Sequence, residues 1–265
     1  MNKVAINGIW YRLYTEEKKA EVTFNENTKY KGRITIPKYI EYYGDVYHVT
    51  SIGLYAFVDC THLTSIVIPE SVTTIEYRAF YGCTGLTSIV IPEGVTDIFT
   101  QAFAKCSNLA KVSLPKSLKL IDDGVFAKCT SLSSITLHEG LREIGTDPLP
   151  WCLNGLEEEL PNISEDTSFT GAFEGCINLT SILIPESVNT IGPCAFYGCT
   201  NLESITLPSN LSTICNEAFS HCSKLHSCCI PDKVSYIGYN AFAGCIGLDS
   251  ITIPASMTRL EHSCF

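Results

Sequence analysis

The chain has 265 residues, 45% apolar and 17% charged, with a formal net charge of −10. That acidic balance excludes the basic face that nucleic acid or an anionic membrane requires. No apolar run approaches the ~20 residues that span a bilayer, and residues 1–8 lack the apolar core of a signal peptide.

Residues 1–50 carry short alternating runs, Ile9 to Leu13, Ala20 to Phe24 and Arg33 to Pro37, separated by polar turns. Period-two alternation between turn residues predicts antiparallel hairpins. From residue 51 the pattern changes to a fixed period. Phe57, Phe80, Phe103 and Phe126 lie 23 residues apart, and so do Phe173, Phe196, Phe219, Phe242 and Phe265. A period of this length means that one small unit is stacked many times. The expected organisation is a β cap over 1–50, closing the apolar end of a solenoid of about ten units over 51–265.

One unit runs from Leu63 to Cys83. Ile66 and Ile68 alternate with Ser65 and Val67, as in a strand with one buried face, and Pro69 ends the ladder. Val72 and Ile75 suit a tight turn or a second short strand. Ala79, Phe80 and Cys83 have the spacing of a single inward-facing helical turn, which Gly82 helps the chain to leave. The 47 residues from Phe126 to Phe173 divide as 23 plus 24, with Cys152 lying 23 after Cys129. On that register 145–171 reads as a decayed unit that still stacks, with a distorted turn.

The repeated Ile-x-Ile-Pro-x-x-Val-x-x-Ile-x-x-x-Ala-Phe-x-x-Cys pattern, and the junction from Tyr47 to Phe57, resemble the BspA-like leucine-rich repeats. The resemblance covers roughly residues 30–265 and departs where His138 replaces the expected Pro. It implies a repeat solenoid with a parallel strand and a short helical turn per unit, under an N-terminal β-hairpin cap. It further implies a non-catalytic protein-binding module, a cell-surface or secreted adhesin whose partners are matrix proteins such as fibronectin or fibrinogen. It brings no catalytic residues and no cofactor.

The chain contains 14 cysteines, and eight share one repeat position: Cys60, Cys83, Cys106, Cys129, Cys176, Cys199, Cys222 and Cys245. In-register stacking separates their Cβ atoms by about 4.8 Å, beyond disulfide reach, so they are expected as reduced, buried thiols. Such a column suits a reducing cytosol or an anaerobic niche. The cluster His221, Cys222, His226, Cys228 and Cys229 has zinc-type ligands. Alternation sends Cys228 inward and Cys229 outward, so no metal site is expected.

The candidate binding face is the outward side of the strands. One row holds Ser65, Ser88, Lys111, Ser134, Ser181, Ser204, Ser227 and Ser250. The other holds Val67, Val90, Ser113, Thr136, Glu159, Leu183, Thr206, Cys229 and Thr252. Small β-formers also suit any exposed parallel strand, but solenoids do bind through such extended faces. Glu70, Glu93, Glu139, Glu186 and Asp232 form an acidic row after the strands, expected as a solvated turn edge. Trp10 and Trp151 sit in irregular segments and are expected to pack there. No nucleophile elbow, phosphate loop or His-Glu-x-x-His motif occurs, and no enzymatic activity is expected. Free thiols and an unsignalled N-terminus leave a second reading open, that of an intracellular scaffold or recognition subunit.

Overall fold

The computed structural model describes residues 2–25, 29–145, 170–255, 257, 260, 261 and 263–265. The N-terminal strands β1 (Asn2–Ile6), β2 (Ile9–Tyr14) and β3 (Lys19–Thr23) form an antiparallel meander. β1, which the alternating runs did not reveal, is joined to β2 by Asn7-Gly8, both at positive φ (50° and 80°). That is the two-residue turn whose twist matches paired strands. A second such turn, Tyr43-Gly44, links β5 (Tyr39–Tyr42) to β6 (Asp45–Ile52).

β6 carries the cap into the repeats. It pairs in parallel with β3 on one side, and its last residues Ser51 and Ile52 pair with Thr74 and Ile75 on the other. Between these elements β4 (Gly32–Thr35) lies parallel to β7 (Leu63–Val67), the first full repeat strand.

Each repeat then contributes to three columns. The Ile-x-Ile segments supply β9 (Ser88–Val90) and β11 (Lys111–Ser113), which pair with one another. They also supply β14 (Ser181–Leu183), β16 (Ser204–Thr206), β18 (Ser227–Cys229) and β20 (Ser250–Thr252), paired in that order. The Val-x-x-Ile segments settle as second short strands. β8 (Thr74–Ile75) pairs with β10 (Asp97–Ile98), and β12 (Leu120–Ile121) opens a ladder through β13 (Glu143–Ile144), β15 (Thr190–Ile191), β17 (Thr213–Ile214) and β19 (Tyr236–Ile237).

The third column corrects the expected helical turn: no helix occurs among the described residues. Along Arg78 to Cys83 the amides alternate. Arg78, Phe80 and Gly82 donate to Thr100, Ala102 and Ala104 of the next unit, while Ala79, Tyr81 and Cys83 donate to carbonyls three residues back. A helical turn keeps its bonds within its own segment. Stacking instead sends every second amide to the neighbouring unit. The alternation needs left-handed backbone at two places per unit, as at Arg78 and Gly82 (φ 51° and 71°) and at Gln101 and Lys105 (φ 57° and 59°). Glycine meets that demand without cost at Gly82, Gly175, Gly198 and Gly244, while Asp59, Lys105, Lys128 and His221 hold ordinary side chains at the same position.

The core lies between the columns. The phenylalanine rings form one continuous stack, with centroids 5.0 Å apart for both Phe57–Phe80 and Phe80–Phe103. Tyr30 closes the cap end. Its ring lies 4.9 Å from Phe57, and its hydroxyl donates to the Thr23 carbonyl and accepts from the Trp10 amide. Trp151 lies outside the described residues.

The decayed unit expected at 145–171 falls mainly on 146–169, also outside the described residues; its flanks meet directly. Phe126 stacks directly on Phe173 at 5.5 Å, and Glu143 and Ile144 pair with Thr190 and Ile191. Phe126 also donates its amide to the Ala172 carbonyl. The units on either side are therefore neighbours in the column. The physical reason is register. Joining Gly145 to Thr170 gives Ile144-Gly145-Thr170-Gly171-Ala172-Phe173, the same length as Ile191-Gly192-Pro193-Cys194-Ala195-Phe196.

Candidate functional site

The strand face is exposed as alternation requires. Ser88, Lys111, Ser113, Ser134, Thr136, Ser181, Ser204 and Thr206 are all exposed, and Ser65 is half-buried. The apolar members stand out. Val67, Val90 and Leu183 are 51%, 70% and 68% exposed, in a row that otherwise carries mostly Ser and Thr. Backbone pairing places Lys111 beside Ser88, Ser113 beside Val90, Ser181 beside Ser204 and Leu183 beside Thr206. Arg33 and Thr35 of β4 extend the face toward the cap, opposite Ser65 and Val67.

The face is not one unbroken sheet. Strand pairing joins β4 to β7, β9 to β11, and β14, β16, β18 and β20 in order, while Ser134 and Thr136 lie outside any strand. Ten of the twelve candidate positions thus fall in three paired groups, and Ser134 and Thr136 stand outside them. Glu159 lies outside the described residues.

The acidic row acts locally. The Glu93 carboxylate accepts the Lys116 amide, Glu139 accepts the amides of Glu186 and Ser187, and Glu186 accepts both the amide and the hydroxyl of Ser209. Each carboxylate caps backbone donors of the next unit, as a side-chain acceptor does at a helix start.

The cysteine column is likewise structural in its contacts. The described cysteines are free. The thiols of Cys83, Cys106 and Cys129 donate to the carbonyls of Phe57, Phe80 and Phe103 at 3.0–3.2 Å. Cys176 reaches Phe126 in the same way at 3.2 Å. Burial pushes the Cys176 thiol up to about 12, and Cys129, Cys199 and Cys222 are held well above the usual thiol range. Such thiols are poor nucleophiles and poor metal ligands. The His221–Cys229 cluster is divided: Cys222 and Cys228 are buried, while His221, His226 and Cys229 are exposed, with the His221 ring edge-on to Tyr197.

Sequence reasoning missed a polar row on the turn column. Arg78 is only 2% exposed; its Nε donates to Gln101 Oε1 at 2.5 Å, and Gln101 Nε2 donates to Thr170 Oγ1 at 2.9 Å. The Thr170 amide donates to Asp123 Oδ2 at 3.4 Å. Burial pushes the Asp123 carboxyl up to about 7, even with the Thr170 amide opposing it. The available signal was the position before each Ala-Phe pair, where Arg78 and Gln101 stand one period apart.

The repeat chemistry agrees with one family. The family model for the BspA type leucine rich repeat region matches residues 33–154 and 160–265, in six copies. The chain belongs to the BspA-type leucine-rich repeat family. Its match takes in both strand columns and the phenylalanine stack. A crystal structure of a leucine-rich repeat protein from T. pallidum is similar, at 27% identity and a TM-score of 0.67, covering 91% of this chain and 100% of that one. A leucine-rich repeat protein from Eubacterium ventriosum shares the fold at 24% identity and a TM-score of 0.53, covering 98% of this chain and 52% of that one. No curated protein matches the chain. Repeats of this family are protein-interaction modules, and no helix among the described residues is long and apolar enough to cross a membrane.

Proposed function

We propose that this BspA-type protein is a non-catalytic adhesin that binds a protein ligand through the outward face of its first strand column. The carrying observation is the exposure of Val67, Val90 and Leu183 among small, uncharged neighbours. Apolar side chains so placed gain by being covered, at roughly 25 cal/mol per Å², while Ser and Thr around them supply hydrogen bonds at little desolvation cost. Ser65, Val67, Ser88, Val90, Lys111, Ser113, Ser134, Thr136, Ser181, Leu183, Ser204 and Thr206 form the contact surface in this reading. It is long enough for the roughly 800 Å² per partner of a specific interface. Placement at the cell surface or in secreted form, with matrix proteins such as fibronectin and fibrinogen as ligands, follows from the family resemblance.

The test is saturable binding of the intact chain to immobilised fibronectin and fibrinogen, compared with a Ser88→Arg/Ser204→Arg variant. Binding that the variant loses supports the reading. Equal binding by the variant removes this face from it. One observation favours the rival reading of an intracellular scaffold: the free, buried thiol column is at home in a reducing compartment. Failure of both ligands to bind a well-folded chain moves the assignment there.

A further inference from the structure

The strand face is not uniform in charge. Backbone register sets Arg33 beside Ser65 and Lys111 beside Ser88, and Ser65 and Ser88 hold the same repeat position one period apart. These four residues therefore form one outward row across β4, β7, β9 and β11. In the adjacent row Val67 and Val90 stand between Thr35 and Ser113. A cation thus marks each end of the patch, with two exposed valines between. Arg33 and Lys111 are both exposed, and neither has an ion pair or a side-chain hydrogen bond among the described residues. Neither row contains a carboxylate, in a chain whose net charge is −10. The acidic row runs beyond the strand ends, where Glu93 already holds the Lys116 amide. Over β14, β16, β18 and β20 the same two rows carry no charged side chain at all.

The spacing selects a ligand. Three steps between neighbouring strands put the Arg33 and Lys111 positions about 14 Å apart. The Phe57–Phe80 and Phe80–Phe103 centroid spacings, each 5.0 Å, show a similar step per unit. An extended peptide advances about 3.4 Å per residue and points every second side chain to the same side. Its residues i and i+4 are therefore also about 14 Å apart and face the same way, with i+2 midway. Laid along the solenoid axis, such a peptide sets acidic side chains at i and i+4 over Arg33 and Lys111. Its i+2 side chain then meets Val67 and Val90. The guanidinium fork of Arg33 suits a carboxylate through two parallel hydrogen bonds, and Lys111 serves as a point charge. We propose that this cap-proximal end of the strand face binds an extended peptide segment of a partner protein with the pattern acid-x-apolar-x-acid. The proposal rests on the strand-face reading above and gives its ligand a chemistry.

The probe is N-terminally labelled Glu-Ser-Val-Ser-Glu-amide, titrated into the intact chain at low salt and followed by fluorescence anisotropy. The expected result is saturable binding that falls about tenfold in an Arg33→Gln/Lys111→Gln variant, which loses two exposed charge pairs. Added salt should weaken it steeply. Glu-Ser-Val-Glu-amide, whose carboxylates point to opposite sides of an extended chain, should bind more weakly, and Gln-Ser-Val-Ser-Gln-amide should not bind. A Ser204→Gln variant, altered at the uncharged end of the face, should bind the probe as the wild type does. The proposal is overturned if the wild type does not bind, if the Arg33→Gln/Lys111→Gln variant keeps full affinity, if the two acidic peptides bind equally, or if Ser204→Gln abolishes binding. Fibronectin and fibrinogen binding by the same proteins separates this proposal from the reading beneath it. A matrix protein held by the wild type and lost in the Ser88→Arg/Ser204→Arg variant, with no peptide binding, overturns the peptide pattern alone. Peptide binding as expected, with neither matrix protein bound, supports the pattern and removes those matrix ligands. A thermal melt of each variant separates loss of binding from loss of fold.

Discussion

Phe126 lies 5.5 Å from Phe173 with their planes 16° apart, although 47 residues separate them. Every other phenylalanine pair in the stack is separated by 23 residues. The difference, 47 − 23 = 24, is the length of 146–169. The column therefore closes on itself across that stretch with its register unchanged.

Excision of 146–169, joining Gly145 to Thr170, is expected to leave a cooperatively folded chain with the same β-type circular dichroism. The change in unfolding free energy should be on the order of 1–3 kcal/mol, set by the loop-closure entropy released. A chain that no longer folds would contradict the direct stacking of Phe126 on Phe173.

Phe103→Ala removes a ring packed between Phe80 at 5.0 Å and Phe126 at 5.7 Å, with no exposure to solvent. The expected cost is about 3–5 kcal/mol, with weakening of the interfaces on both sides. Denaturant melts measure it, and an unchanged midpoint would refute the stack as a source of stability.

Asp123→Asn should stabilise the protein at pH 8 and change little at pH 4. Burial raises the folded-state value from 3.8 to about 7. The buried acid thus favours folding in its protonated form, and that contribution is lost as the pH rises through about 7. Asparagine keeps an acceptor for the Thr170 amide and cannot ionise. Melting temperatures of both proteins across pH 4–8 test this, and parallel curves would count against it.

The thiol column predicts a second pH limit. Unfolded thiols ionise near 9, whereas the buried Cys176 thiol does so near 12. Stability is then complete below about 9 and drains away as the pH rises toward 12. Iodoacetamide at pH 8 should label the exposed Cys229 promptly and leave Cys106, Cys129 and Cys176 unmodified until denaturant is added. Rapid labelling of those three in the folded protein would refute their burial.

Much of the architecture was readable because period is a one-dimensional signal. Ile66, Val72, Ile75, Phe80 and Cys83 recur at fixed offsets, and each occupies the inward position its spacing implied. The turn was misread because Ala79, Phe80 and Cys83 have the same inward spacing in a helix and in an alternating, left-handed turn. Only the destination of the amides separates the two, and that depends on the neighbouring unit. The unit read at 145–171 rested on Cys152 and Leu149 matching the period, and both lie outside the described residues. The outward rows were legible from alternation alone. The polar row from Arg78 to Thr170 was not, because it joins residues from several units through side-chain geometry that no period encodes.

The alternating amides of the turn column bear on how the protein carries load. Each turn is fastened to the next by a handful of backbone bonds, such as Phe80 to Ala102 and Gly82 to Ala104, beside two short strand pairings. Tension applied at the two ends meets these fastenings in series, one layer at a time, so the weakest layer gives first while the others hold. Such a molecule yields by lengthening in steps of 23 residues, except at the Phe126–Phe173 layer, where the step is 47. Under flow or traction it would act as a staged shock absorber, with its longest stroke built in near the middle.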